Sequence, residues 1–473
     1  MKLLIVGIDG GDRRVFERFR MPFFESLLNE NRSLQISEDL FSRGWAEMLT
    51  GQHGRETKGF YMYPKADGTH AFSLSYSLKE MTQNTSEPLL WDLIESRGFR
   101  AGIMNVPTTY PAPAVQGFFV SGAGGGLTKV SAIPPEMVSG EFVTEVLRKH
   151  NYMVDLRLIP SGIDHLAYLF QLLEAMMLNR TRAFVELCLK HRTDVSFIAF
   201  RAPVVVTYLA MSEILFEHRG SNATWQALLA HFFELFDEIL RTLFTELSPD
   251  RFVLTADHGS AGQKFHVNYN VLLESAGWLH RQRTLRSLYR YGMTTSKNFL
   301  RAATRRPIGA WPSSGQIDWS ETRVFGHWYY NGIYVNDEQR FGGPVSVRDI
   351  APLVDDVCAS LNASAEFSKY GFHATPHRRI YESAKYNTLL PDIWIDAPDE
   401  YFFYNGWNRF VTENPWYGEI RGLRDLPSSM YTGTKGRHPI LCIDPQTDAL
   451  VLDQDERDLT LVYKLVNRTL EGG

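Results

Sequence analysis

Leu3-Leu4-Ile5-Val6-Gly7-Ile8-Asp9-Gly10-Gly11-Asp12 opens the chain, and Phe252-Val253-Leu254-Thr255-Ala256-Asp257-His258-Gly259 answers it far downstream. Each stretch is a short apolar run that ends abruptly in a carboxylate with glycine beside it. A buried parallel strand presents a ligand at its carboxyl end in this way. Two Asp and one His brought together on converging strands make a divalent-metal site. Asp9, Asp257 and His258 are therefore the candidate ligands.

Outward from these runs, strand-like and helical patterns alternate. Val15 to Glu30 reads as a helix with Phe16, Phe19, Phe23, Leu27 and Leu28 at helical spacing, and Pro22 either splits it or marks its true start. Leu90 to Arg97 reads as a short helix ended by Gly98, followed by a strand from Ala101 to Asn105. A long amphipathic helix covers Ile163 to His191, a strand covers Val195 to Phe200, and a helix from Trp225 to Leu247 feeds the strand that carries Asp257. This alternation predicts an α/β fold: a mostly parallel central sheet with helices on both faces. Two stretches break the rhythm. Gly122 to Gly162 holds Gly124-Gly125-Gly126 and Pro134-Pro135 and reads as loop or lid. Arg281 to Ile317 is rich in Arg and Lys and has no acidic residue; within it the Arg281 to Arg306 run reads as a solvated face, with a lid over a polyanion or a membrane-surface contact as the second reading. There is no internal repeat.

The chain has 473 residues, 44% hydrophobic and 22% charged, with a formal net charge of −5. That length can bury a large core, and that charge gives no general affinity for nucleic acid. Cys188, Cys358 and Cys442 lie far apart, fit no metal or redox spacing, and read as buried apolar residues in a reducing compartment. No signal-peptide pattern and no run long enough for a membrane span is seen, so the expected location is cytoplasmic. Asp12 reads as a surface helix cap, and His266 and His327 as ordinary satisfied histidines, His327 with a place on the pocket wall as its alternative.

Phe41-Ser42-Arg43-Gly44-Trp45-Ala46-Glu47-Met48-Leu49-Thr50-Gly51 follows the first helical pattern. A serine at a helix N-terminus is either a cap or a nucleophile, and the guanidinium of Arg43 beside it suits a site that grips phosphate or sulfate.

Taken in order, these segments resemble the alkaline phosphatase superfamily, and within it the type I phosphodiesterase/nucleotide pyrophosphatase group. The resemblance is carried by Gly7 to Gly10, by Ser42 before Thr50-Gly51, by Asn105-Val106-Pro107-Thr108-Thr109-Tyr110-Pro111 with Val120-Ser121-Gly122, by Asp257-His258-Gly259, and by Ile317 to Arg323 followed by Gly332-Ile333-Tyr334-Val335-Asn336. It implies an alkaline-phosphatase-like core over 1–280 and 426–473, with a lid-like loop at 123–162, and an insertion or cap over 281–425 that partly continues the core. It also implies one metal held by Asp9, Ser42, Asp257 and His258, with Ser42 as nucleophile.

The second metal of the family needs an Asp and a His just after the strand at 195–200, where this chain has Arg201-Ala202-Pro203-Val204-Val205-Val206-Thr207-Tyr208, and a His in a late Gly-x-His turn, where it has Gly433-Thr434-Lys435. The pattern is similar to the sulfatase branch, in which one metal suffices and basic side chains hold the anion. Arg201 and Lys435 are then substrate-binding, Arg43 assists Ser42, and His438 serves as acid or base. The expected activity is hydrolysis of a small phosphorylated substrate, a phosphodiester first, with one divalent ion, Zn2+ ahead of Mn2+ or Ca2+. The alternatives are a sulfuric ester or phosphonate hydrolase, a phosphoryl transferase, and a non-catalytic binder of a phosphorylated ligand. The aromatic run Tyr401-Phe402-Phe403-Tyr404 with Trp407 reads as core or as a stacking surface for a base or sugar. The sequence leaves the oligomeric state open.

Overall fold

Every residue of the strand Leu3–Ile8 is buried, as an uninterrupted apolar run requires when both faces of a sheet are covered. In the computed structural model that follows, residues 1–124, 133–156, 166–215, 223–282, 317–327, 331–380, 388–404, 409–414, 417 and 431–471 are described. Leu3–Ile8 pairs in parallel with Val195–Phe200 on one side and with Arg251–Thr255 on the other. Among the described residues the main sheet runs Arg32–Ser33, Leu441–Ile443, Arg251–Thr255, Leu3–Ile8, Val195–Phe200, Ala101–Met104, Phe118–Val120, Val138–Ser139. The middle strands from Arg251–Thr255 to Phe118–Val120 are parallel, and antiparallel strands close both sides.

Side-chain alternation along Leu3–Ile8 divides the core. Leu4, Val6 and Ile8 face a cluster that includes Phe184, Val205 and Phe236, from the helices Leu166–His191, Ala202–Leu215 and Ala223–Leu247. Leu3 and Ile5 face the other cluster, with Trp45, Leu90 and Leu465 from the helices Gly44–Thr50, Leu90–Ser96 and Thr460–Glu471. Helices thus cover both faces, as the alternating pattern predicts. Each fully buried Leu, Ile or Phe contributes about 1.5–3 kcal/mol.

Several elements differ from the sequence reading. The Val15–Glu30 pattern forms two helices, Arg13–Phe16 and Pro22–Glu30, because Pro22 has no N–H to give to a preceding turn but suits the first turn of a new one. The stretch read as loop or lid carries the edge strand Val138–Ser139 and the helix Val143–Lys149, whose Val143, Val146 and Leu147 are buried at helical spacing. Asp12 is no surface cap. Only 2% exposed, it caps Arg13–Phe16 and also accepts the Ser260 N–H at 3.1 Å. Gly125-Gly126, Ile163, most of the basic run after Arg281, and Trp407 lie outside the described residues. All three cysteines are buried and free.

A second antiparallel sheet joins Val324–Gly326, Gly332–Val335, Ile393–Asp396 and His373–Pro376, in that order. It packs against the helix Ile350–Ala363 around its own apolar cluster. After it the chain returns to the main sheet through Leu441–Ile443, antiparallel to Arg251–Thr255. Among the described residues no helix is long and apolar enough to cross a membrane.

Candidate metal centre and anion site

Three adjacent parallel strands end at one place. Leu3–Ile8 delivers Asp9, Val195–Phe200 delivers Arg201, and Arg251–Thr255 leads through Ala256 to Asp257 and His258. The carboxyl ends of neighbouring strands in an open α/β sheet form such a crevice. One ligand atom from each of Asp9, Asp257 and His258 lies within 4.8 Å of the others. His258 Nε2 is 3.5 Å from Asp9 Oδ1 and 3.5 Å from Asp257 Oδ2. Tetrahedral zinc with bonds of about 2.0–2.1 Å places its ligand atoms about 3.3 Å apart, so the three atoms stand close to the edges of such a site.

The surroundings hold these ligands in place. His258 Nδ1 lies 2.7 Å from the Gly259 carbonyl, to which it gives its proton, so the Nε2 lone pair faces the two carboxylates. That is the tautomer of a metal-binding imidazole. The Gly10 N–H donates to Asp257 Oδ1 at 3.2 Å, and the Tyr61 hydroxyl donates to Oδ2 at 3.1 Å. Ser260 Oγ donates to the Gly10 carbonyl at 2.7 Å and ties the two acidic turns together. Gly44 lies against the Asp257 carbonyl so closely that a Cβ would strike it; the helix Gly44–Thr50 can start here only on a glycine.

The electrostatics suit a bound cation. Burial, then the neighbouring Asp257, pushes Asp9 up to about 6 against the pull of His258, Arg201 and Lys435. Burial also raises Asp257. Burial, then Lys435, drives His258 down to about 3, so the imidazole is neutral and its lone pair is available. Two buried carboxylates and a neutral imidazole crowded together are costly unless a cation joins them.

Lys435 comes from the strand Gly433–Gly436, antiparallel to Gly259–Gly262 with Lys435 opposite Ser260. Burial lowers it to about 7 even though Asp257 and Asp9 favour its charge. Arg201 Nε lies 3.5 Å from Asp9 Oδ2, and its Nη1 is paired with Asp155. The structure therefore brings Asp9, Asp257, His258, Arg201 and Lys435 together.

The other three candidates make different contacts. Ser42 is 1% exposed; its hydroxyl donates to Asp39 Oδ2 at 3.1 Å and its N–H to Asp39 Oδ1 at 2.8 Å. The Arg43 guanidinium donates to the carbonyls of Phe60, Tyr61 and Leu74, with its Cζ 5.3 Å from the centre of the Tyr61 ring. The His438 side chain is exposed, with Nδ1 3.5 Å from the Ile36 carbonyl, and its own carbonyl lies against Gly259. Tyr61, Asp39 and Asp155 were missed by the sequence reading. Tyr61 lies 196 residues from Asp257 in sequence and no spacing links them.

Beside Lys435 a cavity of about 230 Å³ opens, lined by Asp39, Tyr208, Trp394, Tyr401, Tyr431 and Arg437 among others. Where the resemblance would put a second pair of ligands, the helix Ala202–Leu215 presents Ala202, Val204, Val205 and Val206, all buried.

The chain is similar in structure to phosphonoacetate hydrolase from Sinorhizobium meliloti 1021 in complex with phosphonoformate, with a TM-score of 0.57, 11% identity, and coverage of 99% of this chain and 96% of that one. It is also similar to human ectonucleotide pyrophosphatase / phosphodiesterase 5, with a TM-score of 0.50, 11% identity, and coverage of 100% and 95%. At such identities these likenesses speak for the fold. No curated protein matches the sequence. The family described as type I phosphodiesterase / nucleotide pyrophosphatase matches residues 3–424. The chain belongs to the type I phosphodiesterase / nucleotide pyrophosphatase family, and it is a phosphoric ester hydrolase of that phosphodiesterase-like kind.

Proposed function

We propose that the chain hydrolyses small phosphodiesters with a single divalent cation, zinc ahead of manganese or calcium, held by Asp9, Asp257 and His258. The carrying observation is the placement of Lys435 and Arg201 around those three ligands. When bound, the cation supplies Lewis acidity: it withdraws charge from a phosphoryl oxygen and makes an attacking hydroxyl more acidic. Lys435 and Arg201 meet the remaining oxygens and take the part that a second dication plays in two-metal phosphoesterases, the loss seen in sulfatase-like sites. A diester bears one negative charge fewer than a monoester, so two fixed side-chain cations suit it better.

Ser42 is the nucleophile in this reading, with Asp39 receiving its proton at 3.1 Å. Arg43 stiffens the turn through its three carbonyl contacts, His438 protonates the leaving group from the exposed side, and water then cleaves the bond between Ser42 and phosphorus, returning the proton to the serine oxygen. A second reading is favoured by the burial of Ser42 and the aim of its hydroxyl at Asp39: water attacks directly, and Ser42 shapes the turn.

The test compares aryl phosphodiester, phosphomonoester, phosphonate and sulfate substrates with the metal-stripped and zinc-loaded enzyme. The proposal expects the diester to be turned over fastest, in a zinc-dependent way, and Asp9→Ala to lose at least about a thousandfold, the scale of one lost charge-stabilising group. Faster sulfate turnover, or full activity after stripping, overturns it. Ser42→Ala separates the two nucleophiles: loss of a burst phase and of turnover supports serine attack, and retained turnover supports water.

A further inference from the structure

A second group of metal-ligating side chains lies behind the Ser42 turn, away from the centre described above. His53, Glu456 and Asp458 each offer a ligand atom, all within 4.8 Å of one another. His53 Nε2 lies 2.9 Å from Glu456 Oε2 and 3.3 Å from Asp458 Oδ2. These spacings are close to the edge of about 3.3 Å expected of a tetrahedral zinc site.

The other face of the imidazole is occupied as a metal-binding histidine requires. His53 Nδ1 lies 3.1 Å from Glu47 Oε1, and Glu47 is 2% exposed. A carboxylate that accepts the Nδ1 proton fixes the ring and turns Nε2 outward. Here Nε2 faces two more carboxylates; against the pull of burial, the hydrogen bonds to Asp458 and Glu47 hold the ring protonated, up to about 11, and a divalent cation bound between these carboxylates takes the place of the Nε2 proton. Asp458 is fixed independently: its Oδ1 accepts from the Thr460 N–H at 2.9 Å and from the Thr460 hydroxyl, which leaves Oδ2 toward His53. Negative charge is in surplus here. Glu38, 4% exposed, is pushed well up by burial and then by Glu47, Asp39 and Asp458. Buried carboxylates in such numbers are paired or hold metals. The entry path is short, since the Glu456 side chain is 47% exposed.

We propose that His53, Glu456 and Asp458, with Glu47 orienting the imidazole, form a second divalent-cation site with the donor chemistry of zinc or manganese. An ion there ties the segment before the helix Thr460–Glu471 to the turn after the helix Gly44–Thr50, whose Gly54 packs against Ser42 Oγ. The site is separate from the Asp9 centre and does not need that centre's reading.

Zinc titration of the untagged, metal-stripped chain, read by calorimetry and by elemental analysis after desalting, tests it. Wild type is expected to hold two equivalents, and Asp9→Asn one. His53→Gln is expected to lose the equivalent that Asp9→Asn keeps. Because His53 is tied into the fold, the peripheral Glu456→Gln serves as a second variant. It is expected to weaken that same equivalent about tenfold or more while the metal-free melting temperature stays at the wild-type value. The proposal is overturned if Asp9→Asn binds no zinc, the group then holding a proton only, or if both His53→Gln and Glu456→Gln match wild type. One equivalent in wild type, lost with His53→Gln and kept with Asp9→Asn, sustains this site and sinks the Asp9 reading instead.

Discussion

The Nζ of Lys435 lies 2.7 Å from the centre of the Tyr61 ring, and the hydroxyl of the same tyrosine holds Asp257. One side chain therefore steadies both a candidate ligand and the lysine beside it. The negative face of the ring offsets part of the cost of burying an ammonium.

Tyr61→Phe keeps the ring under Lys435 and removes only the hydrogen bond to Asp257. A hydrogen bond to a charged group contributes about 1.5–3 kcal/mol. The zinc dissociation constant at the Asp9 centre should rise by about tenfold to a hundredfold, measured by competition with a chromogenic chelator.

Lys435→Met keeps the length and apolar stem of the side chain and removes its charge. Its kcat/KM for an aryl phosphodiester should fall by about a hundredfold to a thousandfold, the scale of one lost charge-stabilising donor. Zinc binding at the Asp9 centre should strengthen, because a neighbouring positive charge is gone. Steady-state kinetics with zinc titration checks both.

Protons compete with the metal at Asp9. Its carboxyl sits at about 6 in the metal-free fold, so above that pH zinc meets an open carboxylate and below it must displace a proton. Zinc affinity should fall about tenfold per pH unit below about 6 and rise further as Lys435 loses its proton near 7, in a calorimetric series across pH 5 to 8.

Lys435 gives the metal-free protein a stability slope. Its folded value of about 7 lies below its ordinary value of 10.5, so between the two the unfolded chain binds more protons. Stability contributed by this group therefore rises with pH from about 7 toward 10.5. Wild type should gain denaturant resistance over that window relative to Lys435→Met.

Gly44→Ala places a methyl against the Asp257 carbonyl. Overpacking costs about 1–3 kcal/mol, and the displaced backbone belongs to a ligand. Denaturant unfolding should show that loss, and zinc affinity should fall with it.

The parts of this molecule that could be read in the sequence were those with local signals. Asp9, Asp257 and His258 stand where apolar strands stop, and the alternation of strand and helix gave the layered sheet. Lys435 and His438 look equivalent along the chain. They part only in the paired strands, where register sets Lys435 opposite Ser260 and His438 falls beyond the strand end. Ser42 and Arg43 carry the residue types of an anion site, but their hydrogen bonds run to Asp39 and to carbonyls of a turn that only folding brings near. Asp155 and Tyr61 had no signal, because their partners Arg201 and Asp257 lie far off in sequence. His53 and Asp458 meet through a contact spanning most of the chain, beyond the reach of any spacing rule.

The crevice draws Asp9 from the first strand and Lys435 from one of the last. A nascent chain on the ribosome thus carries Asp9 long before it carries the Lys435 ammonium, and a product truncated before Gly433 never acquires it. Synthesis itself sets the order in which the parts of the crevice arrive.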